Sequence, residues 1–289
     1  MTSEFRRVGI VSKFSDTTIG ATIETLANFL TARKHKVVLD ESAAKTLPGT
    51  QFETTTIEQL GKCCDLVIVV GGDGTLLHTA RSIAAHNIPL VGINLGRLGF
   101  LTDISPDDML QRLEEILNGH YHEEKRFLLQ AMVVRNGAVV QENNAFNDVV
   151  IHKWNSIRMI EFETHVDGLL VNSQRSDGLI VSTPTGSTAY ALSGGGPILH
   201  PALNAIVLVP ICPHTLSNRP IVIDGDSAIE LRVKHSDLAH VRITMDGQTN
   251  FGLEEGDIVR IVKRDPPVRL FHPKGHDHFQ ILRAKLRWG

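Results

Sequence analysis

An α/β domain built on a parallel sheet, followed by a mainly β, sandwich-like domain, is the fold class this sequence predicts. Three observations predict it. The first hundred residues alternate short apolar runs with segments of helical period. Asp65–Val70 (DLVIVV) is apolar on every position after the first, as in a strand covered on both faces of a parallel sheet. Beyond residue 120 the apolar period drops to two.

Taken in order, Val8–Ser12 reads as a strand, and Ile19, Ile23, Leu26, Ala27 and Leu30 recur at helical spacing. Val37–Leu39 is a second strand, and a polar stretch separates it from Asp65–Val70. Leu76, Leu77, Ala80, Ile83 and Ala84 form the face of the next helix, and Pro89–Asn94 (PLVGIN) is a further strand. Such a βαβ rhythm places ligands at the C-terminal ends of the strands. Ser105-Pro106-Asp107-Asp108 predicts a helix start, with serine as cap and acids at the positive end of the dipole; Asn118-Gly119 predicts its stop. Asn136-Gly137 and Asp167-Gly168 predict hairpin turns between alternating segments. Ile221–Ile223, Ile229–Val233 and Val241–Met245 continue that pattern, and Pro266-Pro267 breaks it. The expected domains are residues 1–102, completed by 266–289, and residues 103–265.

Composition excludes little but is consistent. A net charge of −3 gives no electrostatic case for nucleic acid or an anionic membrane. The N-terminus MTSEFRRVGI lacks a secretory apolar core, so the cytoplasm is the expected compartment. Cys63, Cys64 and Cys212 read as reduced, packed thiols. His272, His276 and His278 crowd the C-terminal end and His120-x-His122 forms a second group, but no carboxylate or cysteine joins them at a metal-site spacing; they read as solvated or packed.

Four segments carry chemistry. Gly71-Gly72-Asp73-Gly74-Thr75 lies between the buried strand and a helix, where backbone N–H groups suit a phosphate. An aspartate there repels phosphate, and makes sense if it takes a proton from a nucleophile or holds a metal ion. Asn147-Asp148 offers donors and acceptors that suit vicinal ribose hydroxyls, though alone it reads as a strand cap. Arg175–Pro197 (RSDGLIVSTPTGSTAYALSGGGP) is a strand followed by a hydroxyl- and glycine-rich cradle leading into a helical start at Thr188–Leu192. Asp246-Gly247-Gln248 alone reads as a hairpin turn. The P-loop and GxGxxG fingerprints are absent from the sequence.

Together, and in this order, these segments resemble the NAD kinase family of bacterial type, as do GINLGRLGFL at 92–101 and PHTLSNRP at 213–220. The likeness runs along nearly the whole chain, and the 175–197 block is its most specific part. The resemblance implies transfer of the terminal phosphate of ATP to the 2′-hydroxyl of the adenosine ribose of NAD, giving NADP and ADP. It implies Asp73 as proton acceptor and Gly71, Gly72, Gly74 and Thr75 as the phosphate turn. Asp73, Gly74, Asn147, Asp148, Arg158, Arg175, Asp177, Thr188, Ala189, Tyr190, Ala191, Leu192, Ser193 and Gln248 would bind NAD. Asp148 departs from the family pattern, where glutamate is more frequent. A divalent ion, Mg²⁺, carried by ATP and a homo-oligomer, tetramer or dimer, are implied as well. Two rival readings are a lipid kinase of the diacylglycerol type, which explains GGDGT but not the 175–197 block, and a non-catalytic NAD(P) sensor, which leaves Asp73 without a purpose.

Overall fold

The computed structural model describes residues 5–13, 19–96, 98–155, 157–215, 217–234 and 241–288; Arg97 and Leu216, within two of the motifs above, lie outside them. The chain forms two compact units, Met1–Lys125 with Pro266–Gly289, and Arg126–Asp265.

The first unit contains β1 (Arg7–Ser12), α1 (Ile19–Ala32), β2 (Lys36–Asp40), α2 (Glu41–Lys45), β3 (Glu53–Thr55), α3 (Ile57–Cys63), β4 (Leu66–Val70), α4 (Asp73–Ile83), β5 (Pro89–Ile93) and α5 (Met109–Leu117). Its strands run in the order β3-β2-β1-β4-β5, all parallel. Every residue of β4 and of β5 is buried, which accounts for their unbroken apolar sequence. After β1 the chain builds outward through β2 and β3, and after β4 through β5 on the other side. The order reverses between β1 and β4, so the turn after β4 lies at the switch point where open α/β sheets place their ligands.

Three details differ from the sequence reading. The polar stretch 41–63 holds α2, β3 and α3; Asp40 starts α2 by accepting from the N–H groups of Ser42 and Ala43. Helix α5 begins at Met109, and Ser105 caps the preceding turn by accepting from the Asp108 N–H. Residues 103–125 join the first unit, where Met109, Leu113, Ile116 and Leu117 of α5 enter its core. Each such burial is worth about 1.5–3 kcal/mol, more than enough to decide where the segment belongs. An isolated parallel bridge, Ile93 to Ile104, fastens its start.

The second unit is antiparallel. It comprises most of β6 (Tyr121–Arg135), then β7 (Ala138–Ala145), β8 (Asp148–Lys153), β9 (Ile160–Val166), β10 (Leu169–Ser176), β11 (Gly178–Ser182), α6 (Tyr190–Ser193), β12 (Ala205–Ile211), β13 (Ile221–Asp224), β14 (Ile229–Val233), β15 (Val241–Met245), β16 (Thr249–Gly252) and the first part of β17 (Ile258–Pro273). The rest of β17 and the final helix α7 (His278–Leu286) belong to the first unit, where β17 runs parallel to β5 at Arg269 and Leu270. One sheet runs β13-β12-β11-β8-β15-β16. It packs through Val149, Ile151, Leu179, Val181, Ile206, Leu208, Ile243 and Met245 against Ile160, Phe162, Ile229, Leu231, Val259 and Ile261 of strands β9, β14 and β17. The alternate residues Val150, Ile180, Val207 and Val209 face the other way and pack on Ala191 and Leu199. This is the sandwich that a period of two specifies.

Candidate functional site

The first unit's candidate centre is the turn after β4. Asp73 is the first residue of α4, and Gly72 caps the helix without a side-chain bond. The Asp73 carboxylate is held by the segment after β5. Its Oδ2 accepts from the Phe100 N–H at 2.9 Å, and Oδ1 from the Leu101 N–H at 3.0 Å, the Thr102 N–H at 3.2 Å and the Thr102 hydroxyl at 3.1 Å. Gly99 permits this approach, since a Cβ there would collide with the Asp73 carboxylate and the Thr102 hydroxyl. Residues 99–102 thus serve to hold one carboxylate. Four donors fix its direction. A group so held can orient a hydroxyl and accept its proton.

Two parts of the expected phosphate cradle are used by the fold itself. The Gly71 N–H donates to the Ile93 carbonyl at 2.9 Å, and the Thr75 N–H to the Gly72 carbonyl at 3.0 Å. Gly72 is exposed, and a Cβ on it would meet nothing within 4 Å, so its glycine leaves the approach to the helix N-terminus open.

In the second unit, Asn147 and Asp148 are positioned by Asp246. The Asp246 carboxylate accepts from the N–H groups of Phe146 at 3.0 Å, Asn147 at 2.7 Å and Asp148 at 3.1 Å. The Asp246-Gly247 turn joins β15 to β16 with positive φ at both residues, as a hairpin turn requires, so the structural and positioning roles of this segment coincide. Asp148 is itself buried. Burial, and after it the charge of Asp246, push its pKa up to about 7.

Asn147, Asp148, Asp177, Ala189 and Tyr190 line one cavity of about 490 Å³, together with Val150, His152, Lys153, Ile211, Thr244, Asp246 and Gly247. That volume suits a nucleotide-sized ligand. Lys153 Nζ pairs with Asp177 Oδ1 at 2.7 Å across it. Of the other expected NAD residues in this unit, Arg158, Arg175, Thr188, Ala191, Leu192, Ser193 and Gln248 are not part of its lining. Arg158 and Arg175 are exposed, and Ala191 is buried in the core. Counting in twos from Asp148 along β8 reaches Val150 and His152, so part of the missed lining was open to sequence reasoning.

The hydroxyl-rich block also differs from the expected cradle. Thr183 Oγ1 donates to the Phe146 carbonyl at 2.7 Å, Ser187 Oγ to the Pro184 carbonyl at 2.6 Å and Ser182 Oγ to the Asn147 carbonyl at 3.2 Å. These side chains are buried. They tie the 182–187 loop to Asn147 rather than facing a ligand, and α6, at four residues, is too short to act as an anion-binding terminus. Their work is to fix where Asn147 stands.

The histidines correct the sequence reading. Carboxylates distant in the chain do join them: Asp103 Oδ2 lies 2.9 Å from His272 Nδ1 and 2.7 Å from His276 Nδ1. Glu124 lies on the opposite side, Oε2 at 3.5 Å from His272 Nε2 and Oε1 at 3.6 Å from His276 Nε2.

Residues 8–121 match the family described as the ATP-NAD kinase N-terminal domain, and residues 146–272 that of the ATP-NAD kinase C-terminal domain. An NAD kinase of Pseudomonas putida is 50% identical over 286 residues, covering 99% of this chain and 97% of its own. One of Pseudomonas syringae pv. syringae is 49% identical over the same extent. Among solved structures, an NAD kinase from Archaeoglobus fulgidus in complex with ATP superposes with a TM-score of 0.76 at 26% identity, covering 97% of this chain and 98% of that one. Yeast NADH kinase complexed with NADH shares the fold, with a TM-score of 0.87 at 24% identity over 100% of this chain and 92% of that one. No described helix is long and apolar enough to cross a membrane.

Proposed function

The chain belongs to the NAD kinase family and is an enzyme that phosphorylates NAD with ATP, and from that premise we propose how its residues divide the work. The observation that carries the proposal is the Asp73 carboxylate, placed at the sheet's switch point and aimed by four donors from residues 100–102. The 2′-oxygen of the adenosine ribose attacks the terminal phosphorus of ATP, and the bond to the bridging oxygen breaks. ADP leaves with that electron pair. The hydroxyl proton passes to Asp73, a role worth about 10²–10⁴-fold in rate. The remainder of the catalysis is alignment and charge neutralisation.

Gly72, Asp73 and Gly74 at the start of α4 provide the N–H-rich end for phosphate. Asn147 and Asp148 take the ribose hydroxyls, and Asp177, Ala189, Tyr190 and Gln248 with Arg158, Arg175, Thr188, Leu192 and Ser193 complete NAD binding. The divalent ion enters as Mg-ATP. The oxygens of Asp73, already bound by four donors, do not suit a magnesium cage. The enzyme works in the cytoplasm as a homo-oligomer. Leu169, Leu170 and Val171 on the edge strand β10, and Ile221 and Val222 on the edge strand β13, are exposed apolar side chains of the kind that association covers.

Incubation with Mg-ATP and NAD, with NADP detected by an NADP-specific dehydrogenase, tests the reading. Polyphosphate as alternative donor and NADH as alternative acceptor define its range. NADP formation that depends on Asp73 is the expected result, and NAD binding without turnover would favour the sensor. Light scattering in solution tests the oligomer, where a monomer would contradict it.

A further inference from the structure

His272 is the next-to-last residue of β17, and His276 follows it across a tight turn. The His276 N–H donates to the Pro273 carbonyl at 3.1 Å, and Gly275 sits at φ +90°, a backbone angle that favours glycine. The turn brings the two imidazoles face to face, with centroids 3.9 Å apart and planes 25° from parallel. Their side chains are 2% and 4% exposed.

Both Nδ1 atoms meet the same oxygen of Asp103 at hydrogen-bond length. A carboxylate oxygen only accepts, so each Nδ1 carries its proton and donates. Each Nε2 then points to the other side, and both are buried without a hydrogen-bond partner. What they face is the carboxylate of Glu124, whose oxygens lie 3.5 and 3.6 Å away. Two lone pairs against a carboxylate repel unless positive charge lies between them. Protons on both rings would supply it, but they would place two imidazolium cations face to face. One dication satisfies both nitrogens and the carboxylate together.

The spacing fits that occupant. A tetrahedral ion bound at about 2.0–2.1 Å sets its ligand atoms about 3.3 Å apart. The distances from His272 Nε2 to Glu124 Oε2, 3.5 Å, and from His276 Nε2 to Glu124 Oε1, 3.6 Å, come within a few tenths of an ångström of that, with both carboxylate oxygens turned to the imidazoles. His122 lies two residues from Glu124 on β6, on the same face of the strand. Its Nε2 is 4.0 Å from Glu124 Oε1, and its ring stacks toward His276 at 6.1 Å. It is more than half exposed and stands on the solvent side.

We propose that His272, His276, Glu124 and His122 form a structural site for a transition-metal dication of the zinc class, oriented by Asp103. Nitrogen donors select such an ion over magnesium, which prefers six oxygens. Asp103 plays the part that carboxylates play behind metal-bound histidines, fixing tautomer and ring direction. The ion would pin the start of β6 and the end of β17 to Asp103, the residue after Thr102, whose N–H and hydroxyl hold Asp73. It would therefore be a fastener of the catalytic loop, separate from the magnesium that ATP brings.

The test uses the full chain, stripped with EDTA, dialysed, and titrated with Co²⁺ and then Zn²⁺ in excess Mg²⁺. The expected result is a saturable tetrahedral Co²⁺ absorption at stoichiometric loading, displaced by Zn²⁺ and untouched by Mg²⁺, with thermal unfolding raised by Zn²⁺. His276→Gln and Glu124→Gln abolish the band. The exposed His122→Ala, which carries little folding risk, weakens binding. Asp103→Asn weakens it by about 10–100-fold while keeping the spectrum. Absence of a saturable band in the unmodified protein overturns the proposal, as does a band unchanged in His276→Gln or in His122→Ala. Loss of the band in Asp103→Asn with retention in Glu124→Gln would place an ion on the Nδ1 side and refute ligation through Nε2 and Glu124.

Discussion

Asp73 and Asp148 are both carboxylates beside glycine- or hydroxyl-rich loops, yet the protein surrounds them in opposite ways. Asp73 receives four hydrogen bonds, three from backbone N–H groups and one from the Thr102 hydroxyl. Asp148 is buried and faces the charge of Asp246, which raises its pKa to about 7. The first is held pointing in one direction. The second is poised between neutral and charged at physiological pH. The difference follows from who receives the amide donors: residues 100–102 give theirs to Asp73, whereas residues 146–148 give theirs to Asp246 and leave Asp148 to bear the desolvation cost.

The largest effect that this contrast predicts is at Asp73. Asp73→Asn lowers kcat by about 100-fold or more. Its amide also turns an N–H group toward at least one of the loop donors, so protection of the 100–102 segment from hydrogen exchange falls too. Near-normal turnover would remove Asp73 from the mechanism. Next comes Asp246→Ala, which strips the acceptor from three N–H groups. Relief of the repulsion with Asp148 offsets part of the loss, leaving a net destabilisation of about 2–4 kcal/mol in denaturant unfolding. A change below about 0.5 kcal/mol would show that those bonds hold nothing in place.

Asp148 gives a pH signature. Its folded pKa of about 7 lies above the unfolded value, so the folded state holds an extra proton in between. Stability from this group is complete below about pH 4, falls as pH rises, and is gone above about pH 7, a span of a few kcal/mol. Asp148→Asn flattens that slope. An unchanged slope in the variant would assign it to another group. The smallest effect belongs to the Lys153–Asp177 pair, which is about a quarter exposed at each end. Lys153→Met costs no more than about 1 kcal/mol of stability. A larger loss would mean that the pair, and not Asp246, anchors the cavity.

Much of this was legible in the sequence. The continuous run of β4 and the GGDGT turn after it placed the first centre, because burial on both faces and a phosphate turn each leave a local mark. The period of two placed the sandwich. What holds Asp73 was not legible, since the donors stand 27 to 29 residues away and are mostly backbone, identical in every residue type. The hydroxyls of Ser182, Thr183 and Ser187 misled because a hydroxyl that serves a carbonyl looks the same in sequence as one that serves a ligand. The partners of His272 and His276 lie 148 to 173 residues off, beyond any spacing rule.

Everything rests on Asp73 facing the 2′ position of the acceptor, and calorimetric titration of NAD and NADP into the unmodified protein and into Asp73→Asn tests that directly. NADP carries about −1.5 to −2 charges at the 2′ position. A fixed carboxylate about 4 Å away opposes each by about 4 kcal/mol at an effective dielectric of 20. The ratio of the two affinities cancels any general loosening of residues 100–102, because both ligands feel it alike. Asp73→Asn raises the NADP-to-NAD affinity ratio by about tenfold or more. An unchanged ratio would contradict that placement of Asp73, and would move the proton acceptor elsewhere.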